Sequence, residues 1–322
     1  MKNKSEKKKL DGNSFLLAVT IILFFVMYIV GIIMFGGRGF AKVQNFLNLF
    51  ISNAGLIVVA TGMTIVMITG GIDISVGSVV AMVCMMLAWM MERGNIGAFP
   101  AILIVLATGC IFGLVQGFLV AYLKIQPFIV TLATMNVAKG LAYVYTGGSP
   151  VRVVTKEWQF LGAGYVGGVP TPVILLAVVL VITAIIMNKT KLGRHIYAVG
   201  GNSQAARFSG ISTAKVKFLV HTYSGIMAGL AGVVLASRMY SGQPTAGDGA
   251  EMDAIAAVVV GGTSMAGGSG KIGGTIIGGL IIGVLNNGLN LLNVNSFWQY
   301  VVKGTVILLA VFVDYLRNKK AE

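Results

Sequence analysis

The chemistry open to this chain is bounded by how few reactive side chains it has and where they fall. Among 322 residues there are two histidines, His195 and His221, and two cysteines, Cys84 and Cys110. The sequence has no Gly-x-Ser-x-Gly elbow and no His and Glu at metal-ligand spacing, so no catalytic residue and no metal ligand is assigned. Both cysteines sit in long apolar runs, where they form neither a disulfide framework nor a metal site. Gly268, Gly270 and Gly273 spell G-x-G-x-x-G, and Gly270-Lys271 matches the end of a phosphate-binding loop. That loop needs a glycine five residues before the second one and Ser or Thr after the lysine, and these positions hold Met265 and Ile272. With no soluble strand ahead of it, the pattern reads as a glycine-rich turn, and the chain itself shows no ATP site.

Two polar features remain. One is the stretch GRHIYAVGGNSQAARFSGISTAKVKF, Gly193 to Phe218, a basic, glycine-punctuated island that follows a run with no formal charge from Trp158 to Asn188. Asn202 or Ser203 can cap a short helix, SQAARFS, that Gly210 would end, and Ser212 or Thr213 can cap the next. Ala205 and Ala206 give the short helix a smooth face with Arg207 beside it, which suits a docking element for a soluble partner. The other is Asp73 in TGGIDISVGS, between two long uncharged runs. Acids within a bilayer tend to face a cavity or a partner; Asp73 either serves transport that way or caps the helix that begins near Ser75. A second turn, GGSGKIGGTIIG, echoes GGIDISVGSVVA at an offset of 197 residues, as repeated halves of transporters do.

The elements that must position these groups are membrane helices. Residues 15–35, 43–72, 74–91, 94–123, 158–188, 218–237 and 272–302 contain no Asp, Glu, Lys or Arg. Crossing a hydrocarbon core of about 30 Å takes about 20 apolar residues as a helix, and lipid permits only helices or closed barrels. The alternating segments of about 10 residues that a barrel needs are not evident. The fold class is therefore all-α, a polytopic helical membrane protein of about ten spans: near 15–35, 47–69, 75–91, 98–120, 127–145, 171–188, 217–237, 252–266, 272–291 and 297–315. A single transmembrane domain, 15–316, is expected between basic tails at 1–14 and 317–322. The 44 glycines, about twice the usual share, suit backbone-to-backbone helix packing, as at Gly109, Gly113 and Gly117 or Gly225 and Gly229. The net charge of +14 follows topology and not nucleic acid. A cytoplasmic N-terminus puts most Lys and Arg, both termini and the 189–217 loop inside, as the positive-inside rule requires, and leaves Lys139 and Lys303 unplaced.

GGIDISVGS (70–78), QPFIVTLATM (126–135), AVGGNSQAARFSGI (198–211) and EMDAIAAVVVGGTSMAGGSGKIGG (251–274), with FWQYVVKG (297–304) as a weaker fifth, give a chain that resembles the permease subunits of ribose/xylose/galactose-type sugar importers driven by an ATP-binding cassette. The resemblance runs over nearly the whole chain and implies a type II importer permease fold in a bacterial cell membrane. It also implies a second permease copy, or a close relative of this chain, completing the pore, an extracytoplasmic sugar-binding protein, and a separate ATP-binding subunit that carries ATP and magnesium, with no cofactor on this chain. The family's coupling helix maps onto Asn202 to Gly210, within a loop of Gly193, Arg194, Ala198, Gly200, Asn202, Ala205, Ala206, Arg207, Ser209 and Gly210. On that reading bulky residues at Ala205 or Ala206 abolish uptake, and Asp73→Asn lowers folded yield more than it changes specificity.

For the path, Gln126, Thr131, Thr134 and Asn136 offer neutral hydrogen-bonding groups with Phe128 as an apolar stopper, alongside Asp73 and Ser75. Neutral and aromatic groups suit an uncharged sugar; equally, the threonines can bond to their own helix. Glu251 and Asp253, expected at the outer mouth, either receive basic residues of the binding protein or cap a helix starting near Ala254. Two rivals stay open: a different neutral cargo such as a nucleoside, a polyol or a signalling furanone, and a stand-alone ion-coupled transporter.

Overall fold

A computed structural model describes residues 12–153 and 155–319; residues 1–11 and 320–322 of the two expected tails lie outside it. The helices are α1 (Gly12–Phe35), α2 (Val43–Ile68), α3 (Val76–Glu92), α4 (Ala98–Ala121), α5 (Pro127–Val144), α6 (Lys156–Ala163), α7 (Thr171–Lys189), α8 (Lys191–Gly201), α9 (Ser203–Phe208), α10 (Thr213–Met239), α11 (Ala250–Val260), α12 (Ile272–Leu291) and α13 (Ser296–Lys319). Two short antiparallel pairs, Val151–Arg152 with Ser241–Gly242 and Tyr165–Val166 with Val169–Pro170, join loops. Among the described residues eight helices are long and apolar enough to cross a membrane: α1, α2, α4, α5, α7, α10, α12 and α13.

Two of the ten expected spans come out differently. Helix α3, of 17 residues, is apolar and buried along nearly its whole length. Helix α11 has 11 residues, about 16 Å at 1.5 Å per residue, which is half of a 30 Å core. The expected span near 252–266 therefore does not form; its helix ends at Val260 and glycine-rich turns follow to Lys271. Residues 240–249, which precede α11, run without helix along the side of α3. A Cβ placed on Gly242 would lie 2.6 Å from the Cys84 carbonyl and 2.7 Å from Ala88 Cβ, while Gly247 lies against Gly77 in the first turn of α3. A hydropathy count does not separate an extended stretch inside a bundle from a loop outside it.

Helix α10 is the spine of the bundle, packed against α4, α2 and α3. The glycines of α4 make this possible. A Cβ on Gly113 would lie 2.6 Å from the His221 carbonyl and 2.8 Å from Thr222 Cα, and one on Gly109 2.7 Å from the Gly225 carbonyl. The expected small-residue packing thus occurs, between those two sets of glycines. In hydrocarbon such contact is the main force between helices, because lipid tails are as apolar as leucine. Gly113→Ala is expected to cost roughly 1–3 kcal/mol and lower the thermal midpoint of the detergent-solubilised protein. Gly140→Ala, which meets nothing within 4 Å, should leave it unchanged.

Candidate functional site

The island of the sequence forms two helices lying across the end of the bundle. Thr190 opens α8, its hydroxyl accepting the Gly193 N–H at 3.3 Å. Gly193 is the corner of the α7–α8 turn, since any Cβ there would overlap the Met187 carbonyl. Ile196 and Val199 of α8 are buried, and Arg194 is exposed. Asn202 opens α9, accepting the Ala205 N–H at 2.9 Å. Ser209 Oγ donates to the Ala205 carbonyl at 3.0 Å, and Gly210 turns the chain at φ +80°. Ser212 then caps α10, accepting the Lys215 N–H at 3.4 Å. Of the two candidate caps at each start, Asn202 and Ser212 are used.

The two alanines do not share a free face. Ala206 is buried among Ile65, Val66, Ile196, Val199, Val216 and Val220, whereas Ala205 and Arg207 are exposed. A bulky residue at Ala206 would therefore disturb folding, and only Ala205 reports on docking. Phe208, overlooked in the sequence, is 91 % exposed on α9. A large apolar residue held out on a rigidly capped helix is the usual anchor of a protein interface.

Helix α8 is tied to both glycine turns that echo each other in the sequence. The Gly268 N–H donates to the Ile68 carbonyl at 2.9 Å, joining the 261–271 turn to the 69–75 turn. Gly200 sits on that junction: a Cβ there would overlap the Ile68 carbonyl and lie 2.7 Å from Gly268 N. Tyr197 adds a hydrogen bond from its hydroxyl to the Gly270 carbonyl at 2.8 Å, and burial raises its hydroxyl's pKa, which keeps it a donor. Helix α8 therefore touches both turns directly.

The first turn ends in a buried polar network. Asp73, 1 % exposed, accepts through Oδ1 from the Ser75 N–H at 3.1 Å and the Ser75 hydroxyl at 2.6 Å. Its Oδ2 accepts from the Ser224 hydroxyl of α10 at 2.7 Å. The Gln116 amide of α4 donates to Ser75 Oγ at 2.6 Å and to Thr134 Oγ1 of α5 at 2.8 Å. The Thr131 hydroxyl reaches the Ile72 carbonyl at 3.3 Å. Asp73 thus shapes the turn before α3 and also holds α3, α4, α5 and α10 together. Gln116 of α4 and Ser224 of α10, two residues left without a role by the sequence, complete the network.

The family model described as "Branched-chain amino acid transport system / permease component" matches residues 45–311. The ribose import permease protein RbsC of Bacillus subtilis (strain 168) is 45% identical over 322 residues, covering 99% of this chain and 98% of that protein. RbsC of Escherichia coli (strain K12) is 44% identical over 285 residues, 87% and 88% of the two chains. The galactose/methyl galactoside import permease protein MglC of Haemophilus influenzae (strain ATCC 51907 / DSM 11121 / KW20 / Rd) is 34% identical over 323 residues, 95% and 96%. The chain belongs to the permeases of ATP-binding-cassette sugar importers. No solved structure matches the permease. Its relatives make it a transport subunit and not an enzyme.

The permease's expected path residues divide by exposure. Gln126, just ahead of α5, and Phe128 and Asn136 on it are exposed, Asn136 bonding its own helix at the Leu132 carbonyl, 2.9 Å away. Thr131 and Thr134 are buried and serve the Asp73 network while also bonding carbonyls of α5. Glu251 and Asp253, expected at the outer mouth, both lie in the first turn of α11, with the Glu251 carboxylate against Gly77. Asp253 is paired with Lys303 of α13 at 2.9 Å. Lys139 of α5, the other lysine without a side in the sequence, is paired with Asp248 at 3.1 Å. Among the described residues no group of three or more His, Cys, Asp or Glu could hold a metal ion.

Proposed function

We propose that this permease forms, with a second permease copy, the membrane path of an ATP-driven importer for a neutral monosaccharide, ribose being the first candidate. ATP and magnesium bind a separate subunit, which docks on α9, and an extracytoplasmic binding protein delivers the sugar from the opposite side. The 189–217 loop and both termini are cytoplasmic in this reading. The observation that carries it is the exposed, doubly capped α9 with Phe208 at its surface, preceded directly by α8, whose Gly200 lies on the Ile68 carbonyl ahead of the Asp73 turn and whose Tyr197 bonds the second glycine turn. Such a rigid element transmits a partner's movement into the bundle, where a flexible loop would absorb it. Identity of 45% with a ribose permease over the full chain supports the choice of sugar.

Purification of the tagged permease from native membranes in mild detergent tests the reading. An ATP-binding subunit should accompany it in stoichiometric amount and be lost on Ala205→Trp or Phe208→Asp, with the thermal midpoint of the permease unchanged. A permease that purifies alone and moves solute into liposomes without ATP would replace this reading with the ion-coupled one.

A further inference from the structure

We propose that the solute is handled on the face of α5 bearing Asn136, Lys139, Gly140 and Tyr143, together with Asp248 of the stretch that descends beside α3 and Glu251 in the first turn of α11. This rests on the importer reading and names the groups that meet its sugar.

The four α5 residues are spaced i, i+3, i+4 and i+7, so they share one helical face. They belong to a span, Pro127–Val144. The pair Lys139–Asp248, 3.1 Å apart, keeps side-chain exposures of 44% and 42%. Charged groups facing hydrocarbon cost about 2.5–3.5 kcal/mol each on insertion scales, so intramembrane charges face a bundle interior or a water-filled cavity. A lysine near a helix end can escape by reaching for the rim, but here the ammonium is paired with Asp248 at 3.1 Å. Asp248 follows Gly247, which packs on the first turn of α3. The second pair, Lys303–Asp253, has exposures of only 21% and 16% and reads as a brace between α11 and α13. The two pairs have the same chemistry, and their openness separates a wet surface from a strut.

The chemistry fits a neutral polyol. Asp248 accepts hydroxyl hydrogens, Lys139 donates, and the Asn136 amide can do both; the ion pair has no net charge to repel or trap the solute. Tyr143 and Glu251 lie close enough to act electrostatically on the Lys139 ammonium, and the Tyr143 ring, 38% exposed, offers a flat face for sugar carbons. Gly140 meets nothing within 4 Å, leaving room for a ring beside the charges. The arrangement is also where transporters place substrate sites, beside a helix interrupted within the membrane with polar backbone in the gap.

The test uses two readouts on the intact importer in membrane vesicles. Gly140→Cys should react with a membrane-impermeant maleimide, against a background of buried Cys84 and half-buried Cys110, and millimolar ribose should slow the reaction several-fold. Reaction only with a lipid-soluble maleimide would overturn the proposal, placing the face against lipid or a dry contact with the second copy. The exchange Lys139→Asp with Asp248→Lys rebuilds the ion pair. Uptake should stay at least tenfold down with normal membrane yield, whereas full recovery would make the pair a brace and overturn the proposal. Should the exchanged protein not reach the membrane, sugar protection at Gly140→Cys decides alone. A wild-type importer that takes up no monosaccharide would sink the importer reading, while labelling would still judge whether this face is wet.

Discussion

One methyl group at position 200 is expected to reduce ATP-driven uptake at least tenfold. Gly200→Ala puts a Cβ onto the Ile68 carbonyl and 2.7 Å from Gly268 N, both backbone atoms that cannot rotate away. Helix α8 must then lift off the junction of the two glycine turns, weakening the Gly268–Ile68 and Tyr197–Gly270 hydrogen bonds beneath it. The contact severed lies between α8, which leads into the proposed docking helix α9, and the end of α2 just before the turn holding Asp73, so ATP hydrolysis should continue while transport stops. Gly201→Ala, next in the chain, meets nothing within 4 Å and should transport normally. Uptake and ATPase rates of the two variants in proteoliposomes check this; equal behaviour would mean that force does not pass through Gly200.

The second large effect is on stability. Asp73→Ala strands three donors at a site 1 % exposed: the Ser75 N–H, the Ser75 hydroxyl and the Ser224 hydroxyl. Each buried donor left without a partner costs roughly 1–3 kcal/mol. Removing the carboxylate returns part of that, because its own desolvation is no longer needed. The net loss should be on the order of 3 kcal/mol, enough to collapse folded yield and to lower the thermal midpoint in detergent by many degrees. Asp73→Asn keeps an acceptor and should lose less. A fully stable Asp73→Ala protein with altered sugar preference would move this residue from the architecture to the path.

Much of this was legible because membrane folding follows local rules. Long uncharged runs became helices, the α4 and α10 glycines met each other, and Asn202, Ser212 and Gly210 placed the caps and the turn of the 189–217 loop. What escaped depended on contacts far apart in the chain. Residues 240–249 read as an outer loop because their polarity shows, while their packing on Cys84 and Ala88 does not. Lys139 and Lys303 had no side until partners 109 and 50 residues away were seen. Ala205 and Ala206 are neighbours in sequence, yet they lie about 100° apart around α9, so one faces outward and the other packs inward. The echo between the two glycine turns was faint as a repeat, and only their direct contact at Ile68 and Gly268 gives it structural meaning.

The central claim is that this chain moves a sugar when a partner hydrolyses ATP against α9. Uptake of radiolabelled ribose into proteoliposomes holding the permease, its ATP-binding subunit and the sugar-binding protein tests it most directly. The account predicts accumulation that needs ATP and all three proteins and that disappears with Phe208→Asp. Ribose entry that persists without ATP, or that is untouched by Phe208→Asp, would contradict it.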